Sequence, residues 1–254
     1  MTTFDDEVTL SFVHGEIRRT VEVRDWGAAT SIGKIRKENE DHWGHDGTHR
    51  FAVADGMGGT DGGRAASELI IEGFIKLEPD SAWVPQLAQL NRTIHERCQV
   101  LGFPQAGTTL IALVVEAHRC VTVHIGDSRI YRLRNGNLQL LTTDHNLWNL
   151  RLEEGLDPWV TDQRGTPRAL TSWIGSPGEP DHIDIGTLSV EEGDRVLLVT
   201  DGVSEQLTSE DIAALLASEA DSTLVAQKLV ERADSAGGRD NSTALVVDLG
   251  VSEQ

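Results

Sequence analysis

Four aspartates, Asp55, Asp127, Asp201 and Asp240, stand far apart in the chain, yet each lies where a short apolar run meets a turn rich in glycine, serine or asparagine. Residues 51–54, 121–125 and 195–199 lead into the first three, and Asp240 itself leads into the apolar run 244–247. Three strands that end on an aspartate and one that begins on it can place all four side chains at one edge of antiparallel sheet. Converging carboxylates repel unless a cation sits between them. An all-oxygen set suits Mg²⁺, Mn²⁺ or Ca²⁺ rather than zinc or copper. Glycine follows Asp55 and Asp201 directly, so the backbone can approach an ion there, and Gly56 is a candidate carbonyl ligand. Two such ions, roughly 3.5–4 Å apart, can share a water, lower its pKa toward neutrality and hold it in line with a phosphorus or carbonyl centre. Arg36, within Ile32-Gly-Lys-Ile-Arg-Lys-Glu-Asn-Glu-Asp41, is the candidate for forked contact with a phosphoryl group.

These residues need a sheet scaffold, and the chain reads as one. Alternating runs at 8–13 and 16–23 flank His14-Gly15 as an extra N-terminal β-hairpin within residues 1–25. Residues 108–115, 121–125 and 130–133 read as three strands, the last closed by the hairpin signal Asn135-Gly136. Helices are expected from Arg64 onward, over 83–100 with Leu87, Leu90, Ile94 and Cys98 on one face, from the cap-like Thr208-Ser-Glu-Asp211, and over 223–235. Gly58, Gly59, Gly62 and Gly63 read as tight turns, since no Walker-type lysine follows them. Residues 144–175 are less regular, carry Trp148, Trp159 and Trp173, and form a candidate flap over the carboxylate edge. Paired strands with helices in pairs imply two antiparallel sheets covered by helices, an α+β class.

At 254 residues without a linker-like tract, the chain is expected to form a single domain, 1–254. No apolar run is long enough to cross a bilayer, and the N-terminus lacks a secretory pattern. With only Cys98 and Cys120, a cytoplasmic location is expected. A net charge of −19 argues against nucleic acid or an anionic membrane as partner.

The blocks Gly33-Lys-Ile-Arg36-Lys-Glu-Asn39-Glu40-Asp41, Val53-Ala-Asp55-Gly56-Met-Gly-Gly59, Gly107-Thr-Thr109, Gly126-Asp127-Ser128-Arg129, Val199-Thr-Asp201-Gly202-Val-Ser-Glu205 and Asp240-Asn241 follow the order of motifs in the metal-dependent protein phosphatases (type 2C, PPM). Over about residues 26–249 the chain resembles the compact bacterial members, which act on phosphoserine and phosphothreonine in proteins and oppose Ser/Thr kinases. The resemblance implies a four-layer α-β-β-α sandwich and an Mn²⁺- or Mg²⁺-dependent hydrolase in which a metal-bridging hydroxide attacks phosphorus directly. By motif position Asp55 would bridge two ions, Gly56 would give its carbonyl to one, and Asp201 and Asp240 would complete the other. Glu40 and Asp41 would anchor metal-bound waters, and Arg36 would clamp the phosphate. Asp127, with Asp201, matches the place of a third, weaker ion, with Glu205 near it. Phosphoproteins and a cognate kinase are the implied partners, and a monomer is expected.

Met57 departs from the pattern, because it stands where some animal relatives carry a histidine thought to protonate the leaving group. His42 and His145 are the alternative proton donors. Two other readings stay open: a catalytically weak metal-binding sensory module of the same fold, and a hydrolase of small phosphoesters. Taken singly, an Asp-Gly pair is a turn, His124 is a structural histidine, and the tryptophans pack a flap.

Overall fold

A computed structural model describes residues 19–59, 61–77, 82–159, 165–218 and 220–253. Two five-stranded antiparallel sheets form its centre. The first runs, in spatial order, through β1 (Arg19–Ser31), β12 (Ser242–Glu253), β11 (Asp194–Val199), β8 (Arg129–Arg134) and β9 (Asn137–Leu140). The second runs through β10 (Asp184–Leu188), β7 (Cys120–Ile125), β6 (Leu110–Val115), β3 (Arg50–Ala54) and β2 (His42–His45). A short ribbon pairs β4 (Gly56–Met57) with β5 (Gly107–Thr108). Helices α1 (Asp61–Ile75) and α2 (Trp83–Val100) cover the second sheet, and α4 (Asp201–Ser204), α5 (Ser209–Leu216) and α6 (Ser222–Ala236) cover the first. Helix α3 (Leu147–Glu153) lies in the segment between β9 and β10.

Three buried clusters follow from this layering. Between the sheets pack Phe51, Val53, Ile111, Leu113, Ile130, Leu198, Leu245 and Val247. On the outer face of the second sheet Ala52, Leu110, Ala112 and Val123 meet Ile70, Phe74, Leu87 and Ile94 from α1 and α2. On the outer face of the first, Leu197, Val199, Ala244 and Val246 meet Ile212, Val225 and Leu229. The central strands are apolar on both faces because both are covered. Even and odd residues of β6 and β12 therefore serve different clusters, as the two-residue period of a strand requires. The four-layer α-β-β-α architecture implied by the resemblance is the one observed.

Topology also explains why distant aspartates meet. Strands β3 and β7 flank β6 and run antiparallel to it, so their C-terminal ends share one edge of the second sheet. In the first sheet β11 runs antiparallel to β12, so the end of one lies beside the start of the other. Asp55, Asp127, Asp201 and Asp240 follow or precede these ends.

Several elements differ from the sequence reading. Of the expected N-terminal hairpin, residues 1–18 lie outside the described residues. The described remainder opens β1, which continues to Ser31 and pairs along β12 with a register shift between Val23 and Asp25. The expected strand 108–115 is broken at Thr109, whose N–H donates to the carbonyl of Asp55 while β5 turns away to pair with Gly56-Met57. Strands β2 and β10 and the single turn α4 carry no clear period. All four residues of β2 are half-buried, and β10 is exposed along most of its length.

The glycine run also needs correction. Gly58 and Gly59 do turn the chain, with φ of +120° and +75°. Gly62 and Gly63, however, lie inside the first turn of α1. Gly63 is there because of close approach: a Cβ on it would lie 2.5 Å from Glu40 Oε1 and 2.8 Å from the Gly56 carbonyl carbon. An alanine in a helix is normally favoured over glycine, but here backbone stands in the way. Gly63→Ala should therefore destabilise the protein by roughly 1–3 kcal/mol in urea unfolding, and a gain in stability would contradict the close approach.

Candidate metal centre

Asp41 is held in place from the opposite sheet. Its Oδ2 accepts hydrogen bonds from Thr200 Oγ1 (2.9 Å) and Thr243 Oγ1 (2.7 Å), which come from the end of β11 and the start of β12. Its Oδ1 is buried without a partner among the described residues. The next residue, His42, lies on the other face of β2, where Gly44 abuts Ile71 of α1. It pairs with Ala54, beside Asp55, at the start of the strand.

Asn241 ties the loop before β2 to the turn before β12. Its Nδ2 donates to the carbonyls of Ile32 (3.0 Å) and Glu38 (2.9 Å), and its Oδ1 accepts from the Glu40 N–H (2.9 Å). Arg36 is thereby brought beside Asp240. Its Nη2 donates to Asp240 Oδ2 (2.6 Å), while the Asn241 N–H donates to Asp240 Oδ1 (2.8 Å). Arg36 keeps 48% of its side chain exposed, so the guanidinium stands at the mouth of the site rather than in its floor.

Asp55 is fixed through its backbone. Its N–H donates to Thr109 Oγ1 (2.9 Å), and its carbonyl accepts from the Thr109 N–H and from Thr108 Oγ1 (both 2.9 Å). Gly56 packs against the Gly63 carbonyl and donates its N–H to the Glu40 carbonyl (3.2 Å), so a side chain at 56 would collide with both. Ser67 Oγ donates to the same Glu40 carbonyl (2.6 Å).

The electrostatics of this edge are unfavourable without a cation. Burial, then repulsion from Asp41, Asp201, Asp127 and Asp240, pushes the Asp55 carboxyl well above the ordinary carboxylate value. Burial and the charges of Asp240 and Glu205 likewise raise Asp201, although it shares a hydrogen bond with Asp55. Asp41 and Glu40 are also raised, chiefly by burial. Asp127 is pushed up to about 7 by burial and by Asp201, Asp144 and Glu205. The structure thus brings Asp55, Asp201, Asp240, Asp127, Asp41, Glu40 and Gly56 into one neighbourhood with Arg36 at its rim.

A divalent cation fits that neighbourhood. Glu40 Oε1, Asp41 Oδ1 and Asp201 Oδ1 are buried acceptors with no partner among the described residues, and every donor is oxygen. Asp55 and Asp201 in hydrogen-bond contact require a proton or a metal between them. Raised carboxyls favour the protonated fold. For Asp127 that contribution is fully present below about pH 3.8 and is lost as pH rises through about 7. Bound Mn²⁺ relieves the same repulsion, so its stabilisation over EDTA should be larger at pH 7.5 than at pH 5.5. Differential scanning calorimetry at the two values checks this, and an equal gain at both would contradict it. The difference between Mn²⁺ and EDTA cancels groups remote from the ions.

Sequence reasoning missed Thr200 and Thr243 as supports, Thr109 as the anchor of Asp55, and Gly63 as the residue that admits Glu40. The two threonines are 43 positions apart, and only their shared reach for Asp41 relates them. His145, a candidate proton donor, is not at the edge. It is buried under the Asp127 turn with both ring nitrogens engaged.

Comparison with known proteins places this geometry in context. The family model for protein phosphatase 2C matches residues 34–232. Protein phosphatase PhpP of Streptococcus pneumoniae is 31% identical over 235 residues, covering 87% of this chain and 95% of PhpP. Serine/threonine protein phosphatase PstP of Mycobacterium tuberculosis is 35% identical over 242 residues, covering 88% of this chain and 45% of PstP. The crystal structure of M. tuberculosis PstP superposes with a TM-score of 0.76 at 30% identity, covering 90% of this chain and 99% of that one. A structure of the PstP catalytic domain in complex with two manganese ions superposes with a TM-score of 0.73 at 30% identity, covering 91% of this chain and all of that one.

Proposed function

Because this chain belongs to the protein phosphatase 2C family, we propose that it is a Mn²⁺- or Mg²⁺-dependent hydrolase of phosphoserine and phosphothreonine on proteins. The observation that carries this reading is the convergence of Asp55, Asp201 and Asp240, with orphaned buried oxygens, beside the half-exposed Arg36.

Asp55 would hold two ions, with the Gly56 carbonyl on one and Asp201 and Asp240 on the other; Asp127, with Asp201, would hold a weaker third. Ions in that position would supply Lewis acidity that makes water nucleophilic near neutral pH and offsets charge on the phosphoryl oxygens. Glu40 Oε1 and Asp41 Oδ1, free to accept, would orient water on the inner side. Arg36 would receive the phosphoryl group on the N–H donors not given to Asp240, placing phosphorus over the carboxylate edge. Direct attack by water is supported by the packing of both thiols away from the edge and by the engaged hydroxyl of Ser128. Cys98 and Cys120 are buried in the packed layers, and Ser128 Oγ is hydrogen bonded to Thr109 Oγ1 (2.8 Å). Met57 cannot protonate the leaving alkoxide and His145 has both ring nitrogens engaged, which leaves solvent water at the open edge, or His42 at the start of β2, as the proton source.

A polypeptide substrate is supported by the surroundings. A cavity of about 480 Å³ lies beside the site, lined in part by Trp148, Trp159, Arg168 and Glu205. Glu205, in the cavity wall, also acts electrostatically on both Asp127 and Asp201, so the cavity neighbours the ion edge. Trp148 and Trp159 meet edge to face there, 4.6 Å between centroids, and offer apolar surface to a peptide. The cellular counterpart on this reading is a Ser/Thr kinase, and the chain acts as one domain.

The purified protein should hydrolyse a phosphothreonine peptide with Mn²⁺ and lose that activity with excess EDTA, and it should prefer the peptide to small phosphoesters. Tight Mn²⁺ binding by calorimetry without hydrolysis of any phosphopeptide would overturn the reading in favour of a sensory module.

A further inference from the structure

Behind the Asp127 turn, where β7 pairs with β10, His124, His145, His182 and Asp184 gather. His124 and Asp184 oppose each other in the ladder, with His124 Nδ1 3.6 Å from Asp184 Oδ2, and His145 Nε2 lies 3.0 Å from the same oxygen. One ligand atom from each of these three residues lies within 4.8 Å of the others, a spacing that an ion such as zinc could span.

The hydrogen bonding of His145 argues for a different role. The Gly126 N–H donates to His145 Nδ1 (3.2 Å), so that nitrogen carries a lone pair and the neutral ring has its proton on Nε2, facing Asp184. A metal on Nε2 would need the proton moved to Nδ1, where it would confront the Gly126 N–H. Metal-bound histidines donate their second N–H to an acceptor, and here the opposing group is itself a donor.

The same contacts give His145 a two-point hold on Gly126. Its ring accepts the glycine N–H, and its own backbone N–H donates to the glycine carbonyl (2.7 Å). The Thr171 N–H in turn donates to the His145 carbonyl (2.9 Å). Gly126 has φ +112°, and a Cβ there would lie 2.6 Å from Thr109 Cγ2, so the turn that presents Asp127 is open only to glycine and needs outside support.

We propose that His145 is a positioning residue for Asp127: Asp184 locks it in the Nε2–H tautomer, and its Nδ1 then fixes the Gly126 turn from which the Asp127 carboxylate reaches the ion edge. This rests on the reading of Asp127 as ligand to a third, weaker ion.

Calorimetric titration with Mn²⁺ of the wild type, His145→Gln, His145→Asn and Asp127→Asn tests it, together with the ¹⁵N spectrum of the imidazoles. Asparagine places its amide oxygen where Nδ1 stood and should keep the weak site, whereas glutamine imitates Nε2 and should weaken that site about tenfold, with the tighter sites unchanged in both. Wild-type His145 should show the Nε2–H tautomer. A weak site intact in His145→Gln, equal loss in both variants, or an Nδ1–H tautomer would overturn the proposal. Asp127→Asn separates the two claims, because a weak site unaffected by that change would sink the Asp127 reading itself. If His145→Gln unfolds, Asp184→Leu should weaken the site and Asp184→Asn, which keeps an acceptor, should not. The reverse order would again overturn it. Asp184 is 59% exposed, so the fold should tolerate either change.

Discussion

Asp201→Asn should lower kcat on a phosphothreonine peptide by about 10²–10³-fold while the protein remains folded, since it weakens the hold on an ion that offsets transition-state charge, and losing one such stabilising contact costs about that much. The substitution is nearly isosteric and removes one charge from a crowded set. Asp201 is raised by its burial and by Asp240 and Glu205, so in EDTA its carboxylate is a liability to the fold. The thermal midpoint of the variant in EDTA should match or exceed that of the wild type, whereas the gain on adding Mn²⁺ should shrink. Loss of activity with loss of fold would indicate a structural residue. Unchanged turnover would remove Asp201 from the ion site.

The second large effect is expected at Arg36. Charge-assisted hydrogen bonds contribute about 1.5–3 kcal/mol each, so Arg36→Ala should reduce kcat/KM by roughly 10–100-fold at saturating Mn²⁺. Lysine would restore only part of this, because it offers a point charge instead of a planar fork. Stability should change little, since the Arg36–Asp240 pair is open to solvent over about half of the arginine and a third of the aspartate, and such partly exposed pairs contribute little. Steady-state kinetics beside urea unfolding check both halves. A variant with wild-type kcat/KM would show that the phosphoryl group is received elsewhere.

The legible part of this protein was its chemistry. Asp55, Asp127, Asp201 and Asp240 announce themselves because each interrupts an apolar strand, and the sheet order that unites their edge follows from antiparallel pairing. The amphipathic helices were legible for the same reason: Leu87, Ile94 and Cys98 recur at helical spacing and are all buried. The supports were not legible. Thr200 and Thr243 are ordinary strand residues until Asp41 is seen between them, and Gly63 reads as a turn until Glu40 is found against it. Strand β10 has no alternating burial to betray it, because it is an edge strand beside β7, and with it Asp184 and its grip on His145 were hidden. Residues that touch a substrate or an ion carry type and spacing constraints that survive in one dimension. Residues that hold those residues are constrained only by distance in three.

The most direct measurement is an anomalous difference map at the manganese edge from crystals grown with Mn²⁺. Two strong peaks should lie against Asp55, one near the Gly56 carbonyl and the other between Asp201 and Asp240, with any weaker third peak at Asp127. Manganese absent from that edge, or bound instead among His124, His145 and Asp184, would contradict the account.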